Sequence, residues 1–306
     1  MLHHLPVEQR GLWGLLMSKS RPLQGLPAPD FALHDPGLAI ASIFRPVCRG
    51  RRPQGLNVSH AFNGLSLRFT CFEWLDVRDQ SVLLGLCGLA GISSSEISAL
   101  SAGNIGQQLW LDLEPTKQAV IDKAVVITTS HYQVLDAARL KDNGATGYDR
   151  LKDMLYRLSQ VGCRARTDDG YDWSMRMLSY AARPDGGVSV ALNGRFAAAL
   201  AGQHIKTSLV ERHSLPTEIS ELLHCYLTAW VREGSTQRSS VDKLVARIWG
   251  IESAKEDTAR KRRERVREAL EAVGKLAGWS VEIEGRGTTA IATISRSKVT
   301  SLPSAK

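Results

Sequence analysis

Cysteine is scarce in this chain, and long apolar runs are missing. The 306 residues include five cysteines, an odd number with no C-x-x-C pair. This usage argues against a disulfide framework and a zinc finger, and it predicts a reducing, cytoplasmic environment. The apolar stretches fall well short of the roughly 18 residues that a membrane span needs, and the N-terminus lacks the basic start of a secretory signal. We therefore expect a cytoplasmic protein that makes no membrane contact.

The motifs of common enzyme and metal-site classes are also missing. There is no G-x-x-x-x-G-K-[ST], no H-E-x-x-H and no G-x-S-x-G. His204, His213 and His224 are spaced poorly for metal ligands, and Asp168 and Asp169 belong to a turn sequence. A nuclease or relaxase would need carboxylate and histidine clusters that the sequence does not show. We therefore expect a protein that is not an enzyme and that uses no metal or cofactor.

Positive charge is what the sequence does have. The formal net charge is +8, and the sequence pI is about 9.4. From His204 onward there are 18 Lys plus Arg and 13 Asp plus Glu, so 18 − 13 = +5 of this charge lies in the last third of the chain. The distribution favours a polyanionic partner that contacts the last third.

Proline, glycine and arginine dominate the start of the chain, which predicts an irregular arm or linker over residues 1–60. Four arginines cluster near its end. They either contact phosphates or form a solvated charge run, and both interpretations stay open. These arginines are Arg45, Arg49, Arg51 and Arg52.

Residues 61–195 have the pattern of a first domain. The segment 65–71 alternates apolar and polar residues, as a half-buried strand does. Asp76 and Ser130 are placed to cap two helices, and a third helix is predicted over residues 147–161. Two turn sequences, TDDG and RPDGG, then delimit a strand meander.

Residues 196–297 repeat this order of elements as a second domain, and residues 298–306 form a C-terminal tail. Thr217 and Ser239 are placed to cap two helices. Ser253 and Glu256 predict a capping box at the start of a third, long helix from about Ala254 to Ala277. A β-hairpin with a Gly-Arg-Gly turn follows.

Three helices followed by a hairpin, seen twice, is the element order of the winged helix-turn-helix. The expected fold class is α+β, with two tandem winged helix-turn-helix domains that are mostly helical and carry β-hairpin wings. In such domains the third helix enters the major groove of DNA, and the wing contacts the backbone or minor groove.

The long helix of the second domain carries a dense basic segment. Its apolar stripe predicts that four basic residues project outward and that Arg262 and Arg263 border the core. Arg side chains fit phosphates and the major-groove edge of guanine. The alternative is a solvated helix in which Glu264, Glu268 and Glu271 form i, i+4 ion pairs. The candidate DNA contacts are Arg260, Lys261, Arg262, Arg263, Arg265 and Arg267.

Two further groups are candidate DNA contacts. Arg286, flanked by glycines at the wing tip, can enter a narrow minor groove, and Thr288 follows it in the same turn. The third helix of the first domain carries Arg150, Lys152 and Arg157 on its predicted outer face, offset by two aspartates. The first domain is therefore expected to contact the DNA backbone, to pair with another protomer, or to do both.

Several blocks resemble one family, replication protein C, the origin-binding initiator of IncQ-type broad-host-range plasmids. They are HDP, IFRP, LLGLCGLAG, LSYAARPDGGVSVALN, GQHIKTSL, LLHCYLTAW and RKRRERVREALEAVGKLAGWSVEIE. The resemblance implies two winged-helix domains in a bacterial cytoplasm that bind directly repeated origin sequences, called iterons. It also implies melting of adjacent AT-rich DNA and delivery of the open origin to the plasmid's helicase and primase.

The leading hypothesis is therefore a non-enzymatic plasmid replication initiator. It would bind double-stranded origin DNA sequence-specifically, self-associate on it and promote origin opening. A winged-helix transcriptional regulator or autorepressor would make the same contacts at a promoter, and this alternative stays open.

Overall fold

Strands and helices alternate along most of the chain. The computed structural model describes residues 27–47, 50, 52–98, 105–121, 123–141, 144–183, 185–202, 204–250 and 255–298. The strands of the first two thirds are β1 (Phe31–His34), β2 (Gln54–Phe62), β3 (Leu65–Glu73), β4 (Ser95–Ile97), β5 (Ala124–Ser130), β6 (Gly162–Thr167), β7 (Asp172–Arg176), β8 (Leu178–Ala182) and β9 (Gly187–Leu192). The helices of this part are α1 (Pro36–Ile40), α2 (Val77–Ile92), α3 (Ile105–Asp112), α4 (His131–Ala137), α5 (Ala145–Ser159) and α6 (Gly194–Leu200).

The described residues of the last third form four α-helices and four strands. In chain order they are β10 (Ile205–Ser208), α7 (Leu209–Ser214), α8 (Glu218–Trp230), β11 (Ser235–Ser240), α9 (Val241–Trp249), α10 (Glu256–Gly274), β12 (Trp279–Glu284) and β13 (Ile291–Arg296). All the strand pairs described are antiparallel. The sheet orders are β1-β10, β2-β3-β6-β7, β4-β5-β9-β8 and β11-β13-β12.

Capping residues mark the starts of the helices, and two of the helix predictions need correction. Asp76 caps α2 and Thr217 caps α8, as predicted. The predicted cap at Ser239 is wrong, because the hydroxyl of its neighbour Ser240 accepts the hydrogen bond from the Lys243 N–H at the start of α9. The end predicted for the long helix is also wrong.

The long helix, α10, begins at Glu256 and ends at Gly274, so it stops before Ala277. Lys255 occupies its N-cap position and makes no side-chain capping bond, and Ser253 lies outside the described residues.

The prediction of an irregular arm over residues 1–60 is wrong for the described part. Two strands and a helix lie there, and the boundary between residues 60 and 61 falls inside β2. Counting prolines misled the prediction, because Pro36 occupies the first turn of α1, where its missing N–H costs nothing, and Asp35 caps that helix. β1 is completed by pairing with β10, more than 170 residues away. The division into two domains stays a prediction.

The order of elements is repeated within the chain. In chain order, α2, β5, α4, α5, β8 and β9 form a first copy, and α8, β11, α9, α10, β12 and β13 form a second copy with the same order. In both copies the three strands pair as first, third, second. In each case the last residue of the first strand, Ser130 or Ser240, is also the N-cap of the following helix. The first copy differs by an extra hairpin, β6-β7, which joins the β2-β3 hairpin in a separate sheet.

A fully buried arginine connects the two copies. Arg212 of α7 donates hydrogen bonds to the Ser81 hydroxyl at 2.9 Å, to Gln80 Oε1 at 3.1 Å and to the Val77 carbonyl at 3.3 Å, all on α2. Its Nη1 lies 2.8 Å from a carboxylate oxygen of Glu221 on α8. One hydrophobic cluster runs from β1 to β13 around this contact.

Replacing Arg212 with methionine is expected to lower the free energy of unfolding by about 3–5 kcal/mol, because the Glu221 carboxylate loses its partner inside the protein. Urea denaturation followed by circular dichroism measures the change. The matched control is Arg238→Met, since Arg238 forms an exposed ion pair with Glu284 and surface changes stay within about 0.5 kcal/mol. Equal effects of the two substitutions would contradict the structural role of Arg212.

The burial of His34 makes the stability of the folded protein depend on pH. It is 2% exposed, its Nε2 lies 2.9 Å from the Thr207 hydroxyl, and burial lowers its pKa from 6.5 to about 4. As pH falls, the unfolded chain binds the proton before the folded one, so stability is present above pH 6.5 and is lost towards pH 4. In urea titrations across this window, His34→Gln should show a shallower loss than the unaltered protein. An identical pH profile in the two proteins would sink the assignment.

Candidate nucleic-acid interface

Burial along α10 divides its basic residues into two groups. Val266, Ala269, Leu270 and Val273 are buried and fix the face that packs against the core. Three basic residues on the other side are exposed, as predicted, and they are Arg260, Lys261 and Arg265.

The other three basic residues of α10 are half-buried and contact neighbouring elements. The Arg262 guanidinium lies 5.2 Å from the centre of the Trp249 ring, and Arg263 Nε donates to Asp242 Oδ1 at 2.5 Å, so both tie α10 to α9. Arg267 Nη1 donates to the Gly285 carbonyl at 3.3 Å. The prediction that Arg262 and Arg263 border the core is confirmed, whereas Arg267 is less exposed than predicted.

The glutamates of α10 do not neutralise its exposed basic residues. Among the residues that the structure describes, Glu264, Glu268 and Glu271 form no ion pair with Arg260, Lys261 or Arg265. Arg260 lies 3.8 Å from Asp257, and both side chains are largely exposed, so this pair is weak. The alternative of a helix laced by i, i+4 ion pairs is therefore not what the structure contains.

The turn between β12 and β13 presents Arg286 to solvent. Gly285 and Gly287 have φ values of 77° and 55°, in the left-handed region that glycine adopts without strain. A Cβ at Gly285 would also lie 2.9 Å from the Thr289 carbonyl oxygen, so the turn has no room for one. Arg286 and Thr288 are both exposed. The Arg267 contact with Gly285 brings this turn beside the basic part of α10.

The third helix of the first copy, α5, carries less exposed positive charge. Arg150 and Lys152 are exposed, and Lys152 Nζ lies 3.0 Å from the Asp149 carboxylate. The prediction that Arg157 lies on the outer face is wrong. Its side chain is 14% exposed, and its guanidinium donates to the buried Asp79 carboxylate at 2.9 Å.

The arginine run near residue 50 is partly described. Arg52 contacts the carboxylates of Asp76 at 2.7 Å and Asp79 at 3.3 Å, so it is a structural residue and not a solvated charge. Arg45 is also buried, while Arg49 and Arg51 lie outside the described residues. The carboxylate partners of Arg52 lie more than 20 residues away in the sequence, so composition alone does not reveal them.

The β2-β3-β6-β7 sheet carries three arginines that the sequence reasoning missed. Arg68, Arg164 and Arg166 are exposed on its outer face, and Arg68 lies opposite Arg164 in the strand register. Arg164 is paired with Asp172 and Arg68 with the side chain of Asn57. The alternation of polar and apolar residues along β6 was the available signal.

Two of the three histidines of the last third contact protein groups of the described residues. No group of three or more potential ligands is found among the described residues, and no helix there is long and apolar enough to cross a membrane. His224 Nε2 lies 3.0 Å from the Glu211 carboxylate, whereas His204 Nδ1 lies 3.0 Å from the Ala199 carbonyl oxygen.

Because Arg157 is an internal partner of Asp79, Arg157→Gln is expected to lower the free energy of unfolding by about 3 kcal/mol. Retention of duplex DNA by the folded fraction should stay within twofold of the unaltered protein. Lys123→Gln is the control, since its exposed ion pair with Glu96 contributes less than about 1 kcal/mol. Urea denaturation and filter retention measure the two quantities. A loss of DNA retention at unchanged stability would restore Arg157 to the predicted interface.

The fold resembles that of solved structures. A crystal structure of selenomethionine derivatives of domains 2 and 3 of RctB has a TM-score of 0.51 at 11% identity, covering 85% of this chain and 98% of that one. A structure of RctB domains 2-3 (residues 155-483) has a TM-score of 0.48 at 12% identity, covering 86% and 96%. At these identities the likeness describes the fold alone. No curated protein sequence matches this chain.

A family match covers most of the sequence. Residues 28–293 match the profile of replication protein C (RepC), a span that includes every described strand and helix except the end of β13. This span also includes the basic segment of α10 and the hairpin turn. The chain belongs to the replication protein C family.

Proposed function

We propose that this chain is a plasmid replication initiator that binds repeated origin DNA sequence-specifically through α10 and the β12-β13 turn. The observation that carries the proposal is the exposed trio Arg260, Lys261 and Arg265, which forms no ion pair with a glutamate of the described residues and lies on the same unit as Arg286. Membership of a replication protein family supports it. The protein acts without catalysing a reaction of its own.

The architecture of the second copy supports a winged helix-turn-helix. Helices α8, α9 and α10 are followed by the β12-β13 hairpin, and β11 completes a small sheet on that hairpin. In this arrangement α9 and α10 form the helix-turn-helix, α10 is the recognition helix and the hairpin is the wing. The contacts of Arg262 and Arg263 with α9 hold the recognition helix in place.

The charges fit two different features of duplex DNA. The exposed basic residues of α10 reach phosphates and base edges in the major groove, where an Arg fork reads guanine O6 and N7. Arg286, on its glycine-flanked turn, reaches the adjacent minor groove, and Thr288 contacts the backbone. Because Arg267 bridges α10 to the turn, the two contacts keep a constant separation.

The first copy acts as a weaker second contact. Arg150 and Lys152 on α5 are exposed and meet the backbone of the same repeat. The Arg212 contacts hold the two copies together, so DNA bound by both has to follow their relative orientation. Protomers side by side on tandem repeats would then bend the origin, and the strain favours melting of an adjacent AT-rich tract. The plasmid helicase and primase load on the opened DNA.

The triple variant Arg260→Glu, Lys261→Glu, Arg265→Glu tests the proposal. It should lower the affinity for a duplex with origin repeats at least about 100-fold, because each lost base or phosphate contact is worth about 1–3 kcal/mol. Fluorescence anisotropy over a salt series, with a scrambled duplex beside it, measures the loss. The matched control is the triple variant Lys117→Glu, Lys123→Glu, Lys141→Glu. These three lysines are exposed, and their replacement changes the net charge by the same amount.

Two results would contradict the proposal. Equal losses in the test and control variants would mean that only net charge matters, and equal affinity for repeat and scrambled duplexes would remove sequence specificity. A plasmid that carries only the repeats and the AT-rich tract separates an initiator from a transcriptional regulator. When the plasmid helicase and primase are also supplied, an initiator supplied in trans maintains that plasmid, whereas a regulator does not.

A further inference from the structure

A cleft of about 340 Å³ separates α9 of the second copy from the segment that contains α1 and β2. Its walls are the turn after α1, the edge strand β2 and the C-terminal turn of α9. It therefore lies outside the α10 surface described above. The volume is at the lower end of the range for sites that hold small organic ligands.

The described lining of this cleft is basic and contains no carboxylate. Arg45, His60 and Arg247 contribute to it, and Asn57, Ser42 and Ser59 add neutral hydrogen-bonding groups. Burial and the nearby Arg247 both lower the pKa of His60, as expected in a positive environment. The chemistry of the lining suits an anion.

Arg45 is the central group of the cleft. It is 5% exposed, its Nε donates to the Ser42 carbonyl at 3.1 Å, and its guanidinium lies 4.5 Å from the centre of the Trp74 ring. No carboxylate of the described residues is within ion-pair distance of it. Burial lowers its pKa, as expected for a desolvated charge without a counter-ion. A buried arginine of this kind costs free energy unless an anion reaches it.

The end of α9 is shaped around this guanidinium. Gly250 ends the helix with a φ of 80°, and a Cβ there would lie 2.1 Å from the guanidinium carbon of Arg45. The helix C-terminus carries about half a unit of negative charge. That amount offsets part of one arginine, and Arg247 adds a second positive charge, so the described residues that line the cleft carry net positive charge.

We propose that this cleft binds a phosphate group that carries an organic substituent, held by the Arg45 fork with Arg247 at the mouth. Arg forks fit phosphate oxygens in two parallel hydrogen bonds, and Ser59 and Asn57 lie among the residues that line the cleft. The phosphate belongs either to a DNA strand that passes between α9 and β2 or to a free nucleotide. The site does not depend on DNA binding by α10.

Calorimetric titration of the full chain with inorganic phosphate and with dAMP, at constant ionic strength, tests the free ligand. The second arm measures duplex affinity over a potassium chloride series. Arg45→Lys keeps the charge and removes the fork, and Ser59→Asp places a carboxylate on the exposed wall without altering the core. Ser66→Asp is the control, since Ser66 is exposed on the adjacent strand outside the cleft lining.

Saturable one-to-one binding of dAMP or phosphate that falls at least tenfold in Arg45→Lys and Ser59→Asp, but not in Ser66→Asp, supports a free nucleotide. A DNA strand is indicated if free ligands do not bind and the salt slope falls by about one in Ser59→Asp relative to Ser66→Asp. The proposal is overturned if neither arm separates the cleft variants from the control. In that outcome the α10 triple variant still reports on the proposed function.

Discussion

The burial of Arg212 is the constraint on which the arrangement of the two copies depends. A guanidinium removed from water is tolerated only where acceptors surround it, and here they come from α2 on one side and α8 on the other. Movement of α8 would remove the carboxylate partner of the charge, and movement of α2 would remove three of its hydrogen bonds. The continuous hydrophobic cluster around this contact also holds the two helices together, because separating them would open a closely packed core. The orientation of one copy relative to the other is therefore part of the fold.

Local signals predicted the elements whose stability is local. Asp76 and Thr217 were recognisable as caps, and the alternation in β3 and the apolar stripe of α10 placed these elements on the correct faces. β1 was not predictable in this way, because it is a strand only by virtue of pairing with β10. The fold was thus accessible from sequence where caps and periodicity decide it, and inaccessible where a distant partner does.

The candidate interface shows the same division. Periodicity predicted that Arg260, Lys261 and Arg265 face solvent and that Arg286 occupies a turn. It did not predict that Arg157 pairs with Asp79, or that Arg263 pairs with Asp242, since each partner lies on another helix. Charge in a sequence therefore overstates the charge on a surface. The arginines with internal partners hold α5 and α10 in place, and the remaining ones face outward.

The serines that end β5 and β11 limit where related chains can gain or lose residues. Because Ser130 and Ser240 each close a strand and cap the next helix, no loop separates the two elements. One inserted residue would rotate the helix by about 100° relative to its sheet, since an α-helix has 3.6 residues per turn. Its apolar stripe would then face solvent. Length variation among relatives should accordingly accumulate in the helix-to-helix turns and the hairpin tips, while these two junctions stay constant in length.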